Sequence, residues 1–445
     1  MQETISALAT PSGVGALAVI RISGSGALSI ADKIFRGVNR PSASGERKVL
    51  LGRIVGGDEE VIDEVLLTVF RNPRSYTGED LVEICGHGGT LVASRVLASA
   101  LAAGSRMARA GEFTERAFLN GKLDLTQAEA VMDLISAQTP RAARAAALQL
   151  EGTLGSEIRI LREELLQCVA HLEAYIDFPE EGIDPESGIV LRKRMEAITD
   201  HIQRLLATAG EGILLREGIT LALCGAPNAG KSSLMNRLLG TERSIVNATP
   251  GTTRDTIEAG ASLGGYPFRI IDTAGLRETE DPVEQEGVRR ARKAAQDADL
   301  RIHLVDASTT GASVQPLFED ELLLLNKIDL IGNAVPYSPT RGLGISCKTG
   351  EGIEELVQVI IQKVTGQSES EATTHGTAIS VRHRDCLERA LAALREAIRL
   401  LATEQPPEIL AVELRCSLAA VGEIVGDAGT EEILGKIFSS FCIGK

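Results

Sequence analysis

The chain has no tryptophan, and aromatic residues make up only 3% of its 445 positions. Aromatic side chains are the usual stacking platform for unpaired bases. A general single-strand binder is therefore a poor fit. Positive charge is also scarce: 46 Lys and Arg stand against 61 Asp and Glu, a formal net charge of −15. That balance argues against a protein that coats nucleic acid, although one bound through a local cationic patch stays compatible with it. Long apolar runs are missing. Ala98 to Ala103 is too short to span a bilayer, and Met1 to Thr10 carries no basic leader pattern. The cysteines at 85, 168, 224, 347, 386, 416 and 442 are odd in number and form no C-x-x-C pair. This usage fits a reducing compartment and argues against a zinc site. A cytoplasmic protein without membrane contact is the expectation.

The length implies about three domains. An α/β segment is expected at 1–120 and a helical one at 121–215. In the latter, Ala128, Val131, Met132, Leu134 and Ile135, then Leu154, Ile158, Leu161, Leu165, Val169 and Leu172, recur at helical spacing. Pro179 to Pro185 interrupts the pattern, and a further helix runs to about Leu215. Residues 216–368 alternate short apolar runs with loops, as buried parallel strands do. The polar run Gln367 to Thr377 reads as a linker into a second helical part at 369–445. The C-terminal helices should rejoin the first helical segment, which makes 216–368 an insertion. Arg382-His383-Arg384 with Arg389, Arg395 and Arg399 is either a cationic patch or a solvated helix face.

The most specific signals lie in the insertion. The strand-like run Ile219 to Cys224 leads into Gly225-Ala226-Pro227-Asn228-Ala229-Gly230-Lys231-Ser232, followed by Ser233 in a predicted helix. This matches the phosphate-binding loop G-x-x-x-x-G-K-[ST]. Its glycines let backbone N–H groups turn onto phosphates, and the following helix adds the positive end of its dipole. Lys231 should reach the β- and γ-phosphates, and the Ser232 hydroxyl should ligate Mg²⁺. Phe268 to Ile271 is a second buried strand, ending in Asp272-Thr273-Ala274-Gly275. Asp272 is placed to act on Mg²⁺, and the Gly275 N–H to sense the γ-phosphate. Asn326-Lys327-Ile328-Asp329 follows four leucines. A carboxylate at Asp329 accepts from guanine N1–H and the exocyclic amine together, a pair of donors that adenine lacks. Ser346-Cys347-Lys348 reads as the last guanine-contacting loop. Asn247-Ala248-Thr249-Pro250-Gly251-Thr252-Thr253 lies between the first two motifs, with Thr253 the choice for completing the Mg²⁺ shell. Together these motifs point to a GTPase domain that binds GTP and GDP. Leu276 stands where a small signalling GTPase has a water-orienting glutamine, so another group must hold the water. Asn228, three residues before Lys231, is placed to ligate a potassium ion beside the phosphates, or else is a turn residue after Pro227.

Outside the insertion, further short runs carry a resemblance. They are Ala9-Thr10-Pro11, Arg21-Ile22-Ser23-Gly24, Thr77-Gly78-Glu79-Asp80, Glu83-Ile84-Cys85-Gly86-His87-Gly88-Gly89, Gly111 to Lys122, and Cys442-Ile443-Gly444-Lys445. In this order around a GTPase insertion, the chain resembles the MnmE (TrmE) family of tRNA-modification GTPases nearly end to end. The resemblance implies a multidomain fold, α/β and all-α: an N-terminal folate-binding-like α+β domain that also dimerises, a helical domain completed by the C-terminus, and an inserted P-loop GTPase domain with a parallel sheet flanked by helices. It implies a reduced folate (5-formyl- or 5,10-methylene-tetrahydrofolate) as one-carbon donor, with Arg21, Glu83, Lys122 and Lys445 as contacts. Cys442 takes a functional role in it, as a thiolate that attacks C6 of uridine and activates C5. By its residues alone, Cys442 reads as one more small apolar group in the tail with Ile437, Phe438, Phe441 and Ile443. The potassium site maps onto Asn228, Asn247, Thr249 and Thr252, and the catalytic glutamate onto Glu284.

The activity implied is GTP hydrolysis coupled to installing an aminomethyl or carboxymethylaminomethyl-type group on C5 of the wobble uridine of tRNA. The implied partners are a second copy of the chain, the flavin-dependent MnmG (GidA) protein, and tRNA. The competing reading is a ribosome-assembly or regulatory switch GTPase without folate chemistry, which needs neither the Arg21, Glu83 and Lys122 set nor the Cys442 tail. One departure from the pattern is visible. The connections Asp306 to Glu321 and Ile331 to Gly342 are short and lack a convincing helix, so a trimmed GTPase domain is expected.

Overall fold

The computed structural model describes residues 3–177, 188–241, 258–272, 293, 296–309, 321–331, 342–366, 379–427 and 431–445. Of the two connections where trimming is expected, residues 310–320 and 332–341 fall outside these residues. Contacts group the chain into two units: Met1–Met132 with Val421–Lys445, and Asp133–Ala420.

The first unit is built on a seven-stranded sheet, in the order β3-β4-β5-β6-β2-β1-β7. Its strands are β1 (Ile5–Leu8), β2 (Leu17–Ser23), β3 (Phe35–Gly37), β4 (Val49–Val55), β5 (Val61–Phe70), β6 (Leu81–His87) and β7 (Arg106–Met107). All pairings are antiparallel except β1 with β7. Alternation along β2 and β5 sends one set of side chains into the core and the other to the opposite face. Ile20, Ile22, Val65, Leu67, Val69, Val82 and Ile84 form a core with residues of α1 (Ala27–Ile34) and α2 (Thr90–Ala102). On the other face, register aligns Leu51, Leu66, Cys85 and Val19 in one row. Val49, Thr68, Glu83 and Arg21 form the next row. Leu17, Val49, Leu51 and Leu66 are exposed there. Helices α3 (Glu112–Leu119) and α4 (Leu125–Ser136) follow. α4 buries Leu125 and Ala128, whereas Leu134 and Ile135, expected on a helical core stripe, are exposed. Only the first turns of α4 meet the apolar cluster containing Phe438 and Phe441.

The second unit joins a helical layer to a sheet. α5 (Pro140–Leu150) starts with Pro140 at its first position, and the Thr139 side chain accepts from the Ala142 N–H at 3.1 Å. α6 (Thr153–Asp177) buries Leu154, Ile158, Leu161, Leu165, Val169 and Leu172 as its spacing requires. α7 (Gly188–Glu217) packs on α6 and leads into β8 (Ile219–Gly225). α8 (Lys231–Thr241), β9 (Glu258–Leu263), β10 (Tyr266–Asp272), β11 (Leu300–Asp306), β12 (Glu321–Asn326), β13 (Leu343–Gly344) and α9 (Ile353–Thr365) come next. Among the described residues the sheet has the order β13-β12-β11-β8-β10-β9, and it is parallel apart from the β9–β10 hairpin. The apolar runs read as buried strands are those strands. α10 (Val381–Ala402) packs on α7, and α11 (Pro407–Val425) follows it. Ser380 and His383 form a reciprocal cap at the start of α10, with His383 buried. That burial removes His383 from the patch considered around Arg382.

The tail then belongs to the first unit. α12 (Glu431–Ser439) packs on α3. Beyond it Ile443 makes an antiparallel bridge with Ala110, and the Phe113 N–H donates to the Lys445 carbonyl at 3.3 Å.

Candidate functional sites

In a doubly wound sheet, a ligand crevice forms at the carboxyl ends of the strands. In the second unit, residues at the ends of β8 and β12 and in the loop after β13 line a cavity of about 1040 Å³. Gly225, Asn228, Gly230, Lys231, Ser232, Ser233, Asn326, Lys327, Asp329, Cys347 and Lys348 all border it. The loop after β8 turns on Asn228, held in the left-handed region at φ 64°, and on Gly230 at φ 105°. A Cβ on Gly230 would lie 2.2 Å from the Asn326 amide nitrogen, so only glycine fits. That amide donates to the Ala229 carbonyl at 2.7 Å, and its oxygen accepts from the Cys347 N–H at 3.1 Å. Asn326 thus fastens the loop after β8 to the loop after β13.

Lys231 opens α8 and donates to the Gly225 and Ala226 carbonyls at 2.7 and 3.0 Å. Its ammonium is held inside the ring of its own loop. The Ser232 hydroxyl donates to Asp272 Oδ2 at 2.9 Å, and Asp272 is buried at the end of β10. A hydroxyl and a buried carboxylate at this separation are the oxygen donors a hard divalent cation accepts, so the pair fits Mg²⁺. Ile328 follows Lys327 into a short 3-10 turn, and Asp329 Oδ1 accepts from the Ser346 hydroxyl at 2.7 Å. Ser346 therefore orients that carboxylate.

Several supports went unread in the sequence. Asp306 ends β11 and accepts from Lys327 at 2.6 Å; that ammonium and Ser308 hold its carboxyl down at about 2. Arg237 on α8 donates to the Cys347 and Lys348 carbonyls at 2.9 and 2.8 Å. Burial pushes the Cys347 thiol up to about 11, which keeps it neutral. An acid at a strand end was a legible signal for Asp306. An arginine on a helix face carried none for Arg237. Asn247, Ala248, Thr249, Pro250, Gly251, Thr252, Thr253, Thr273, Ala274, Gly275 and Glu284 lie outside the described residues.

A second constellation sits on the open sheet face of the first unit. Arg21 on β2 and Glu83 on β6 are register partners, joined Nε to Oε1 at 2.7 Å. The Arg21 guanidinium lies 5.4 Å from the centroid of the Tyr76 ring and donates to the Gly444 carbonyl at 3.4 Å. Lys445 interacts electrostatically with Arg21, Glu83 and Cys442. Burial and Arg21 lower its amine pKa, against Glu83 and Cys442. The tail thus brings Lys445 and the exposed Cys442 to the Arg21–Glu83 pair. Tyr76 was not singled out in the sequence, although it stands one residue before the quoted Thr77 run. Its hydroxyl pairs with Thr114 at 2.8 Å, and burial raises its pKa. Lys122 donates instead to the Pro73 carbonyl at 3.1 Å. Two cations, a carboxylate and an aromatic face fit a pterin with an anionic tail, so the residues present suit a folate.

The family descriptions decide what these sites belong to. The description "MnmE helical domain" matches residues 125–442, and "GTP-binding protein TrmE N-terminus" matches residues 4–122. The chain belongs to the MnmE family of tRNA modification GTPases. The tRNA modification GTPase MnmE of Akkermansia muciniphila is 45% identical over 100% of this chain and 99% of its own length. That of Chloroflexus aurantiacus is 44% identical over 100% of both. Among solved structures, the G domain of the FeoB iron transporter of T. maritima is 28% identical over 33% of this chain and 98% of its own, with a TM-score of 0.23. As a member of the MnmE family the chain is a GTP hydrolase that takes part in tRNA modification, and GTP and GDP are its nucleotides. Among the described residues, no helix is long and apolar enough to cross a membrane.

Proposed function

We propose that this GTPase helps add an aminomethyl or carboxymethylaminomethyl-type group to C5 of the wobble uridine, position 34, with a reduced folate supplying the carbon. The observation that carries this reading is the docking of Cys442, Gly444 and Lys445 beside Arg21 and Glu83. A ribosome-assembly switch has no use for that constellation. The Glu83 carboxylate would accept from the guanine-like donors of the pterin, and Arg21, Lys445 and Lys122 would supply cations for the anionic tail. The Cys442 thiolate adds to C6 of uridine, which makes C5 nucleophilic, and leaves once C5 is substituted and has given up its proton to a base.

In the nucleotide site, Lys231 and the N–H groups of Asn228 to Ser233 cradle the phosphates. Ser232 and Asp272 would hold Mg²⁺, with Thr253 as the proposed third ligand. Asp329 reads guanine, with Asn326, Lys327 and Ile328 shaping its loop and Ser346, Cys347 and Lys348 closing over the base. Thr273, Ala274 and Gly275 sense the γ-phosphate. Potassium at Asn228, Asn247, Thr249 and Thr252, with Ala248, Pro250 and Gly251 in the same loop, supplies the charge an arginine finger supplies elsewhere, and Glu284 organises the attacking water. The chain works in the cytoplasm as a homodimer with the flavin-dependent MnmG protein. The exposed Leu17, Val49, Leu51 and Leu66 on the open sheet face support self-association.

Mass-spectrometric nucleoside analysis of tRNA tests the reading, in cells lacking the gene and rescued with wild type or Cys442→Ser. Loss of C5-modified wobble uridine, restored by wild type alone, is the expected result. Unchanged modification in the deletion would sink the reading. Rescue by Cys442→Ser would keep the pathway and remove the thiol from it.

A further inference from the structure

A chain of net charge −15 that works on tRNA must meet a polyanion somewhere. The arginines of α10 are poor candidates. Arg384, Arg389 and Arg399 are each paired with an acid of their own helix, Glu388, Asp385 and Glu396. Those three charges are offset within the helix itself.

The first unit holds a different surface, made by residues 40–48 and 71–74. Arg71 donates to the Ser42 carbonyl at 2.6 Å, and the Arg47 N–H to the Val69 carbonyl at 2.8 Å, so the two segments are tied together. Arg40, Arg47, Lys48 and Arg74 are exposed, and Lys122 joins them through the Pro73 carbonyl. The carboxylates nearby are Glu46, Asp32 and Asp80. Asp32 is engaged by the Ser42 N–H at 2.9 Å and Asp80 by the Asn72 N–H at 3.0 Å. Glu46 alone serves two guanidiniums, Arg74 at 3.1 Å and Arg47 at 3.7 Å. Two like charges drawn to one acid leave an excess that the fold does not need. Arg47 also sits at φ 57°, a left-handed conformation uncommon for a non-glycine residue. Strain of that kind gathers where a side chain has a task beyond folding.

We propose that this loop surface holds the phosphate backbone of tRNA. The ligand chemistry is a run of phosphates rather than unstacked bases, which agrees with the absence of tryptophan. The inference rests on the family's work on tRNA, and on neither the folate nor the potassium chemistry. It is tested by titrating full-length protein with unmodified tRNA transcript over a range of salt. Arg47→Ala, Lys48→Ala and Arg74→Ala combined should flatten the slope of log affinity against log salt by about 2–3, and weaken binding at least about tenfold. The thermal unfolding transition of the first unit should stay as in wild type, which checks the fold. Arg47→Lys with Arg74→Lys keeps the charges and should keep the slope. Arg384→Ala, Arg395→Ala and Arg399→Ala combined should bind tRNA like wild type. An unchanged slope in the alanine loop variant would overturn the proposal. So would a lysine variant as weak as the alanine one, or a wild-type chain that fails to retain tRNA at low salt.

Discussion

Gly230 shows how tightly single atoms constrain the nucleotide loop. Alanine there must displace Asn326 Nδ2, which ties the loop to Ala229, and must adopt φ 105°. Gly230→Ala should lower the unfolding free energy by about 2–4 kcal/mol and weaken GDP binding more than tenfold. Denaturant unfolding and nucleotide titration read the two effects. Asp329→Asn should spare stability and lose preference for guanine over adenine nucleotides, measured by competition. Glu112 gives a pH prediction. Burial alone would raise its carboxyl, but hydrogen bonds from Arg106, the Arg109 N–H and Arg116 outweigh that and hold it at about 2, against 4.5 for the free group. A depressed folded value contributes stability that is complete above pH 4.5 and fades as pH falls toward 2. Acid titration of unfolding should therefore lose part of its steepness in that window in Glu112→Gln. At this scale the sequence was legible where chemistry dictates spacing, as in Lys231, Ser232, Asp272 and Asp329. It was silent on Arg237, because its hydrogen bonds to the Cys347 and Lys348 carbonyls join residues far apart in the chain and leave no periodicity.

Elements were legible where burial imposes a rhythm. The single-faced stripe of α6 and the apolar runs that became β8, β10 and β12 could be read directly. The neighbour relations within either sheet could not, since most pairings join partners far along the chain. The last residues were hardest. A short apolar tail gives no local sign that Ile443 will bridge Ala110. Gly444 marks the fit: at φ 98°, a Cβ there would meet the Leu8 carbonyl oxygen at 2.3 Å. Gly444→Val should dislodge the tail and abolish tRNA modification, while GTP turnover by the second unit changes less than about twofold, well under the ~1.4 kcal/mol that a tenfold change represents. Equal loss of both activities would show that the tail supports more than the first unit.

For the whole molecule, two expectations concern assembly and ions. If the open sheet face joins two copies, Leu51→Asp with Leu66→Asp should shift the mass in solution from dimer to monomer by light scattering, without unfolding a sheet whose core lies on the opposite face. If potassium replaces an arginine finger, turnover should be fast in KCl and slow in NaCl, and Asn228→Ala should erase the difference.

Arg21 and Gly444 touch across 423 positions of chain. A ribosome releases Arg21 early and Gly444 only after the entire nucleotide-binding segment has been made. The first unit therefore waits for its closing piece throughout synthesis of the second. A premature stop codon anywhere downstream of the first unit, even within the GTPase segment, leaves the Arg21–Glu83 constellation without Cys442 and Lys445. Truncated products thus lack the groups that the proposed uridine chemistry needs, however well their finished parts fold.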